Sequence, residues 1–309
     1  MAKYLVTGGC GFIGSHLCDA LGTAGHSVRI LDDLSTGKRE NVPDVDDILV
    51  GNVAEADVVR NAMADVDGCF HLAAIASVQR SNEEWAGTHR VNLTGTINVL
   101  DAARTARDGK PVPVVYASSA AVYGDNPAMP LSEDAEKRPL TAYGADKLGS
   151  EQHARVAGTV HGVPTTGLRF LNIYGPRQDP GSPYSGVISI FADRLQTGEV
   201  ATIYGDGEQV RDFVYVGDCV RFVMAGMEHA TVAANVFNVC TGQPSSLLDL
   251  VDALSAAGHK PLSLEYGPER TGDIRRSFGD PARAKAVFGL RADTPLRDGL
   301  ASTLESLQQ

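Results

Sequence analysis

Basic residues are scarce in this sequence. Its 309 residues include 27 Lys and Arg against 38 Asp and Glu, which gives a formal net charge of -11 at pH 7. Proteins that bind nucleic acid need a surplus of Lys and Arg to neutralise phosphates, so this balance argues against a nucleic-acid partner. A phosphorylated small ligand stays compatible with it, because such a ligand needs only a local pocket.

Cysteine is also rare and scattered. The five cysteines are Cys10, Cys18, Cys69, Cys219 and Cys240. They form no C-x-x-C pair, and no His lies at a spacing that indicates a metal site. We therefore expect buried thiols in a reducing compartment and no bound metal.

Long apolar runs are missing. No stretch approaches the roughly 20 apolar residues of a membrane span, and the strand-like segment Lys3–Thr7 leaves no room for a signal peptide before it. We expect a cytoplasmic protein with no membrane partner.

Strand-like and helix-like segments alternate through the first half of the chain. Apolar runs typical of strands lie at residues 4–7, 27–31, 48–50, 68–72, 112–117 and 165–170. Helical spacing of apolar residues falls between them, at 15–24, 54–64, 82–107 and 142–161. This alternation predicts an α/β fold with a Rossmann-like, doubly wound parallel sheet.

The alternation breaks after about residue 171. Residues 175–183 are rich in Pro and Gly and are expected to form a loop, with helices near 187–197 and 247–257. We predict a dinucleotide-binding Rossmann domain over residues 1–170 and a smaller mixed α/β lobe over 171–309, with some chain crossing back. Open α/β sheets bind ligands at the carboxyl ends of their strands, so the lobe is expected to bind substrate there.

A glycine-rich turn follows the first strand. Gly8, Gly11 and Gly14 lack side chains that would block a tight turn, a pyrophosphate against backbone N–H groups, or close helix packing. Asp32 ends the second strand, where a carboxylate accepts hydrogen bonds from ribose hydroxyls and repels a 2′-phosphate. The combination predicts bound NAD rather than NADP, the alternative being the glycine turn of some other α/β protein.

Tyr143 and Lys147 lie four residues apart in a segment that Thr141 is expected to cap as a helix. Their side chains therefore share one helix face. A cation roughly 5 Å away, at an effective dielectric of about 20, favours the phenolate by about 3 kcal/mol, or roughly two pKa units. The pair predicts a tyrosine general base, and the alternative is an ordinary pair on a helix surface.

These pieces together resemble the NAD-dependent sugar-nucleotide epimerase/dehydratase family of extended short-chain dehydrogenases/reductases, over nearly the whole chain. The motifs that carry the resemblance are Thr7–Gly14, His71–Ala74, Asn92, Tyr116–Gly124, Tyr143–Lys147, Leu168–Asn172, Tyr174–Arg177 and Arg211–Tyr215. The resemblance implies the short-chain fold, bound NAD, and a homodimer formed through the helices near 82–107 and 142–161.

It also implies which residues bind NAD. They are Gly8, Gly11, Phe12, Ile13, Gly14, Asp32, Asp33, Asn52, Val53, Leu72, Ala73, Ala74, Asn92, Tyr143, Lys147 and Phe170. Asn52 departs from the Asp that is usual in the family, which puts one amide contact with the adenine in doubt.

The catalytic residues implied by the resemblance are Ser119, Tyr143 and Lys147. Dehydratases of the family have an acid pair directly after the catalytic Ser or Thr, whereas this chain has Ala120 and Ala121. An epimerase is therefore expected. Tyr143 would take the proton of the sugar 4-hydroxyl while the C4 hydride passes to NAD, and the transient 4-keto sugar would take the hydride back on its other face.

The second lobe is expected to hold a UDP-sugar. The substrate residues implied by the resemblance, besides Ser119 and Tyr143, are Asn172, Gln178, Gly186, Val187, Tyr204, Arg211, Arg270, Asp273 and Ser277. Gln178, Gly186 and Ser277 resemble the set found in N-acetylhexosamine epimerases. We therefore expect a UDP-glucose/UDP-galactose 4-epimerase that also accepts UDP-GlcNAc and UDP-GalNAc.

Rival hypotheses stay open at this point. One is another enzyme on the same scaffold: a UDP-glucuronate 4-epimerase, a dehydratase or a reductase. Another, from a different class, is a non-catalytic NAD-sensing protein, although sensing alone requires none of Ser119, Tyr143 and Lys147.

Overall fold

The computed structural model describes residues 1–181, 186–269 and 274–308. Its strands are β1 Lys3–Thr7, β2 Ser27–Asp32, β3 Ile48–Val50, β4 Gly68–His71, β5 Val114–Ser119, β6 Thr165–Phe170, β7 Asn172–Tyr174, β8 Ala201–Tyr204, β9 Val210–Arg211, β10 Phe213–Tyr215, β11 Asn235–Val239, β12 Ser245–Ser246, β13 Leu264–Gly267 and β14 Arg276–Ser277. Its helices are α1 Phe12–Thr23, α2 Ala56–Met63, α3 Val78–Glu83, α4 Trp85–His89, α5 Gly95–Ala103, α6 Ala142–His161, α7 Val187–Thr197, α8 Val216–Glu228, α9 Leu247–Ala257, α10 Ala282–Phe288 and α11 Leu296–Ser306.

The chain divides into two compact units. Unit 1 consists of Met1–Gly124, Glu136–Arg169 and Val220–Phe237. Unit 2 consists of Asp125–Ala135, Phe170–Cys219 and Asn238–Gln309. One boundary between the units therefore falls between Arg169 and Phe170.

Unit 1 is built on a seven-stranded sheet of order β3-β2-β1-β4-β5-β6-β11. The pairs β1–β2, β1–β4, β2–β3 and β4–β5 are parallel. The order reverses between β1 and β4, and this is the switch point at which doubly wound sheets bind ligands. The predicted Rossmann-like fold class is confirmed. The strand β11 is an addition to the predicted sheet: at 235–239 the chain crosses back and pairs with β6 at the sheet edge.

The core of unit 1 forms where apolar residues of the strands meet those of α2, α5 and α6. Leu5, Leu31 and Val114 of the sheet belong to the same buried cluster as Val99 and Ala154 of the helices. The strands are buried on both faces, which is why they appear in the sequence as short apolar runs. This buried core holds the strands in place, and the candidate site lies at the ends of these strands.

The helix predicted for residues 142–161 is confirmed as α6. Thr141 caps it, since its side chain accepts a hydrogen bond from the backbone N–H of Gly144 at 3.0 Å. The helix ends at Gly162, whose φ of 67° is the left-handed conformation that glycine adopts most readily.

The helix predicted over 82–107 is confirmed over residues 85–103, where helical structure runs without a break, and is wrong at both ends. Ser77 caps α3 early, by accepting a hydrogen bond from the backbone of Arg80 at 3.1 Å. The backbone leaves the helical region at Glu84, with φ of −117° and ψ of 50°. A π-helical segment, Arg90–Thr94, then separates α4 from α5. Such wider turns are frequent at functional sites, and this one contains the predicted NAD residue Asn92.

The described residues of unit 2 form three small sheets: the parallel pair β10–β7, the parallel pair β13–β8 and the three-stranded sheet β12-β9-β14. In the last of these, β9 pairs antiparallel with β12 and parallel with β14. The apolar core of unit 2 joins α7, α9 and α11 through Phe191, Leu250 and Leu300. The predicted mixed α/β lobe is therefore present. Among the described residues, no helix combines the length and the apolar character that crossing a membrane requires.

Candidate active site

The glycine turn after β1 leaves no room for side chains. Gly8 has a φ of 70°, and a Cβ there would lie 2.8 Å from the backbone N of Ala73. At Gly14 a Cβ would lie 2.1 Å from the carbonyl oxygen of Gly8. Gly11 precedes α1 as its cap residue. Because α1 begins at Phe12, the N–H groups of Phe12 and Ile13 belong to the first turn, which has no intrahelical acceptor for them.

Asp32 lies at the end of β2, with 7% of its surface exposed. Its carboxylate accepts hydrogen bonds from the backbone N–H of Cys10 at 3.0 Å and of Leu34 at 2.9 Å. Burial raises the pKa of Asp32, and these two hydrogen bonds offset part of that rise. The bond to Cys10 ties the end of β2 directly to the glycine turn.

The side chains of Asp33, which follows β2, and Asn52, which follows β3, are hydrogen-bonded to each other. Asn52 Nδ2 donates to Asp33 Oδ2 at 3.1 Å, and Asn52 Oδ1 accepts from the N–H of Ala54 at 2.8 Å. The carbonyl of the buried Val53 accepts a hydrogen bond from Asn98 Nδ2 at 2.9 Å. Asn52 thus holds the loop after β3 in place.

The loop after β4 lies beside the glycine turn. Thr7 accepts hydrogen bonds from this loop twice, its carbonyl from the N–H of Leu72 at 3.1 Å and its Oγ1 from the N–H of Ala73 at 3.2 Å. Asn92, 1% exposed, accepts from the N–H of Ile75 at 2.8 Å and donates to its carbonyl at 3.2 Å. Leu72, Ala73 and Ala74 are therefore held between β1 and the π-helical segment.

Tyr143 and Lys147 occupy one face of α6. Lys147 Nζ lies 5.7 Å from the centre of the Tyr143 ring and donates a hydrogen bond to the carbonyl of Ala117 at 2.8 Å. Ser119 ends β5 and its hydroxyl accepts from the N–H of Ala121 at 3.1 Å. A further hydrogen bond joins Ser119 to Tyr143. The three predicted catalytic residues are thus brought together by β5 and the first two turns of α6.

The pKa shift expected for Tyr143 is wrong in sign for the chain by itself. Burial raises the pKa of Tyr143, and the hydrogen bond from Ser119 lowers it only in part. Burial likewise lowers the pKa of Lys147 to about 8. The loss of water around both groups outweighs the attraction between their charges.

In unit 2, Arg211 and Ser277 are paired across strands. They face each other in the β9–β14 register. Arg211 Nη1 donates to the carbonyls of Val210 at 2.9 Å and Ile274 at 2.7 Å. The Asn172 side chain donates to the carbonyl of Asp212 at 3.1 Å, which places Asn172 beside the same motif.

The remaining predicted substrate residues lie on other elements of unit 2. Gln178 Nε2 would lie 3.5 Å from a Cβ at Gly186, the residue before Val187 and the start of α7. Tyr204 ends β8, and its ring lies 3.2 Å from where a Cβ of Gly267 would be. Phe170 is the last residue of β6. Arg270 and Asp273 lie outside the described residues.

Comparison with known proteins agrees with this geometry. The model of the NAD dependent epimerase/dehydratase family matches residues 4–240. The chain belongs to this family.

Relatives match the chain over nearly its whole length. A UDP-glucose 4-epimerase of Mycolicibacterium smegmatis is 39% identical over 98% of this chain and 97% of its own. A crystal structure of UDP-glucose 4-epimerase from Thermotoga maritima with UDP-glucose superposes with a TM-score of 0.93 at 34% identity, covering 99% of this chain and 98% of that one. A UDP-N-acetylglucosamine 4-epimerase from Methanobrevibacter ruminantium, in complex with UDP-N-acetylmuramic acid, gives the same values.

The NAD of this family fits the cradle in unit 1. At Gly8 and Gly14 even a methyl group would collide with backbone, so the turn offers bare N–H groups and the start of α1 to a pyrophosphate. Gly37 lies beside the buried Asp32 carboxylate. A Cβ at Gly37 would lie 2.9 Å from Asp32 Oδ1, so a side chain there would crowd the carboxylate. The donor set and the close approaches are those that a dinucleotide needs.

Two buried residues of the family motifs, His71 and Asp212, lie outside the predicted site but hold its surroundings in place. His71, 3% exposed, connects Thr7 Oγ1 at 2.8 Å with Thr96 Oγ1 at 3.1 Å. Burial lowers the pKa of His71 to about 3, so it stays neutral and links β1 to α5. Asp212, in unit 2, accepts hydrogen bonds from the N–H groups of Thr241, Gly242 and Gly279. In each case the sequence shows a polar residue at the end of a strand. Its hydrogen-bond partners could not be predicted, because they are distant in sequence.

Proposed function

We propose that this protein is an NAD-dependent UDP-hexose 4-epimerase. The proposal rests on the close approach of Ser119, at the end of β5, to Tyr143 and Lys147, at the start of α6. Ala120 and Ala121 follow the serine. These two alanines offer no acid or base for an elimination. The epimerases that match the chain from end to end support the same conclusion.

Unit 1 would hold NAD through the glycine turn, Asp32 and the loop that Asn92 fixes. When bound, NAD supplies a nicotinamide that accepts the hydride of a sugar carbon and returns it. Tyr143 takes the proton of the sugar 4-hydroxyl and gives it back, as a general base and then a general acid. Ser119 hydrogen-bonds the same oxygen. Lys147, whose Nζ is held by the carbonyl of Ala117, would bind the nicotinamide ribose.

Unit 2 would bind the UDP portion. The guanidinium of Arg211 suits a diphosphate because its planar fork makes paired hydrogen bonds. The ring of Tyr204 offers a stacking surface for uracil. Asn172, Val187, Arg270 and Asp273 complete the proposed set, which rests on the match of their positions to the family.

The sugar pocket would accept an acetamido group. Gln178, Gly186 and Ser277 are short or flexible where a bulky residue would exclude it, and a Cβ at Gly186 would meet Gln178 only at an ordinary contact distance of 3.5 Å. A pocket with that space also admits the smaller hexose. We therefore propose activity on UDP-glucose/UDP-galactose and on UDP-GlcNAc/UDP-GalNAc.

The decisive experiment incubates the purified protein with UDP-glucose or UDP-GlcNAc, without added cofactor, and resolves the C4 isomers by NMR. We expect both pairs to interconvert. Failure to interconvert any UDP-hexose, in folded protein that contains NAD, would remove the epimerase proposal.

We further propose a homodimer. A groove on unit 1 is lined by Ile97 and Leu100 of α5 and by Val156 and Ala157 of α6. Val156 is 49% exposed and Val160, one turn further along, is 66% exposed. Two exposed apolar side chains one turn apart on α6, beside a groove shared with α5, support an interface with a second copy. Light scattering after gel filtration should give twice the mass of 32.6 kDa, and a monomer would contradict this proposal.

We also propose that the enzyme works in the cytoplasm. All five cysteines are buried thiols, as a reducing compartment permits. Fractionation of source cells should recover the protein with cytoplasmic markers, and recovery with extracellular material would contradict this location.

A further inference from the structure

Unit 1 contains a buried ion pair to which the proposed reaction assigns no step. Arg169 of β6 is 2% exposed and Glu151 of α6 is 7% exposed. Arg169 Nε donates to Glu151 Oε1 at 2.8 Å, and Nη2 donates to Oε2 at 2.7 Å. This bidentate contact fixes the plane of both groups.

The pair reaches both ends of the segment that contains Ser119. Ser118, directly before it, donates its hydroxyl to Glu151 Oε1 at 2.5 Å. Tyr123, four residues after it, accepts a hydrogen bond from Arg169 Nη1 at 2.8 Å. The Arg169 guanidinium also lies 4.9 Å from the centre of the Tyr123 ring. The turn that holds Ser119 is therefore attached on each side to one rigid group.

The pair also acts on α6. Glu151 follows Lys147 by four residues and Tyr143 by eight, so all three lie along one face of the helix. Lys147 donates to the carbonyl of Ala117, and Glu151 accepts from the next residue, Ser118. Consecutive residues of β5 are thus bonded to consecutive turns of α6.

We propose that Glu151 and Arg169 are positioning residues of this enzyme, which act through Ser118 and Tyr123 to hold Ser119 in register with Tyr143 and Lys147. The inference rests on the proposed epimerase function. Stability alone is a weak reason for such a pair, because a buried ion pair is often no more stabilising than apolar residues of the same volume. Here the other hydrogen bonds of the pair are made with Ser118 and Tyr123, which lie on either side of the proposed catalytic Ser119.

Two mild variants test the proposal without leaving a charge unpaired. Tyr123→Phe removes the hydroxyl that accepts from Arg169, and Ser118→Ala removes the one that donates to Glu151. Matched controls exist on the same strands. Tyr116 of β5 and Thr166 of β6 are buried, and their hydroxyls have no hydrogen-bond partner within the described part of the chain. Tyr116→Phe and Thr166→Val therefore remove hydroxyls that make no such link.

We expect kcat of NAD-containing enzyme to fall about tenfold in Tyr123→Phe and in Ser118→Ala, with KM within about twofold and unchanged NAD content. Small displacements of catalytic groups lower the rate in this way without weakening binding. Both controls should keep the kcat of the wild type. The charge-neutral double variant Glu151→Gln/Arg169→Met should lose about 100-fold, and if it fails to fold, the two single variants decide.

A second readout is independent of turnover. The ¹³Cζ NMR signal of Tyr143, identified by its loss in Tyr143→Phe, should move in Tyr123→Phe and in Ser118→Ala and stay in place in both controls. Equal kcat and an unmoved signal in all four variants would overturn the positioning role while leaving an active epimerase. A wild type that converts no UDP-hexose would instead overturn the proposed function, and the NMR signal would then decide the positioning role.

Discussion

The two units of this molecule hold their candidate residues by different means. In unit 1 the groups lie at the ends of parallel strands and on one face of the 20-residue helix α6. In unit 2, Arg211 and Ser277 lie on strands of two residues each, which pair across more than 60 positions of sequence. The residues proposed for the reaction are thus held by the ends of long elements, whereas those proposed for recognition are held by short strands. Substitutions in unit 1 should therefore affect the rate, and those in unit 2 should affect which substrate is bound and how tightly.

The largest effect is expected from Tyr143→Phe. Loss of the general base should lower kcat by about 10³-fold while NAD stays bound. Turnover assayed by NMR and NAD released on denaturation are the measurements, with Tyr116→Phe as the control. An unchanged rate would assign the base to another residue.

The pH dependence of stability tests the burial of Lys147. Its pKa is about 8 in the folded chain and 10.5 when exposed, so between these values the unfolded chain binds more protons than the folded one. Stability should therefore rise with pH across this window, by at most about 3 kcal/mol. In Lys147→Met this contribution is lost, whereas it persists in the control Lys110→Met, whose side chain is exposed. Urea unfolding at pH 7.5 and 10 measures the difference, and identical pH dependence in all three proteins would refute it.

Gly14→Ala should break the NAD cradle. The added methyl group would lie 2.1 Å from the carbonyl of Gly8, so α1 must shift, at a cost of about 1–3 kcal/mol. Gly22→Ala, in the same helix, meets no atom within 4 Å and should stabilise by about 0.5–1 kcal/mol. Thermal unfolding and NAD content measure both effects. Equal behaviour of the two variants would show that the close approach at Gly14 is not required.

Arg211→Gln tests recognition in unit 2. If Arg211 binds the diphosphate, KM for UDP-glucose should rise about 10- to 100-fold, with a smaller change in kcat. Arg275→Gln is the control, since Arg275 forms an exposed ion pair with Asp206, a kind of pair that contributes little. A fall in kcat at constant KM would place Arg211 with the residues of the reaction and remove the contrast between the units.

The smallest effect is expected from Ser277→Tyr. The larger side chain should lower kcat/KM for UDP-GlcNAc about tenfold relative to UDP-glucose, because it occupies the space proposed for the acetamido group. Competition assays with both sugars in one tube give the ratio directly. An equal loss on both sugars would discard this account of the pocket.

The parts of the molecule that the sequence predicted are those that local rules determine. Strand alternation, the glycine turn and the spacing of Tyr143 and Lys147 each act over a few residues, so the sheet, the cradle and α6 could be predicted. The break at Glu84 could not, because residues 82–86 include no Gly or Pro that would mark it. The link between Glu151 and Arg169 also escaped prediction, because it joins α6 to a strand 18 residues further along. The pKa of Tyr143 escaped it too, since burial is not visible in a spacing.

The central claim is that the hydrogen on C4 of the sugar leaves and returns within the protein. Incubation of the purified enzyme with UDP-glucose deuterated at C4, without added cofactor, tests this claim most directly. The account predicts UDP-galactose that retains deuterium at C4. Product that carries hydrogen from the solvent at that position would contradict it.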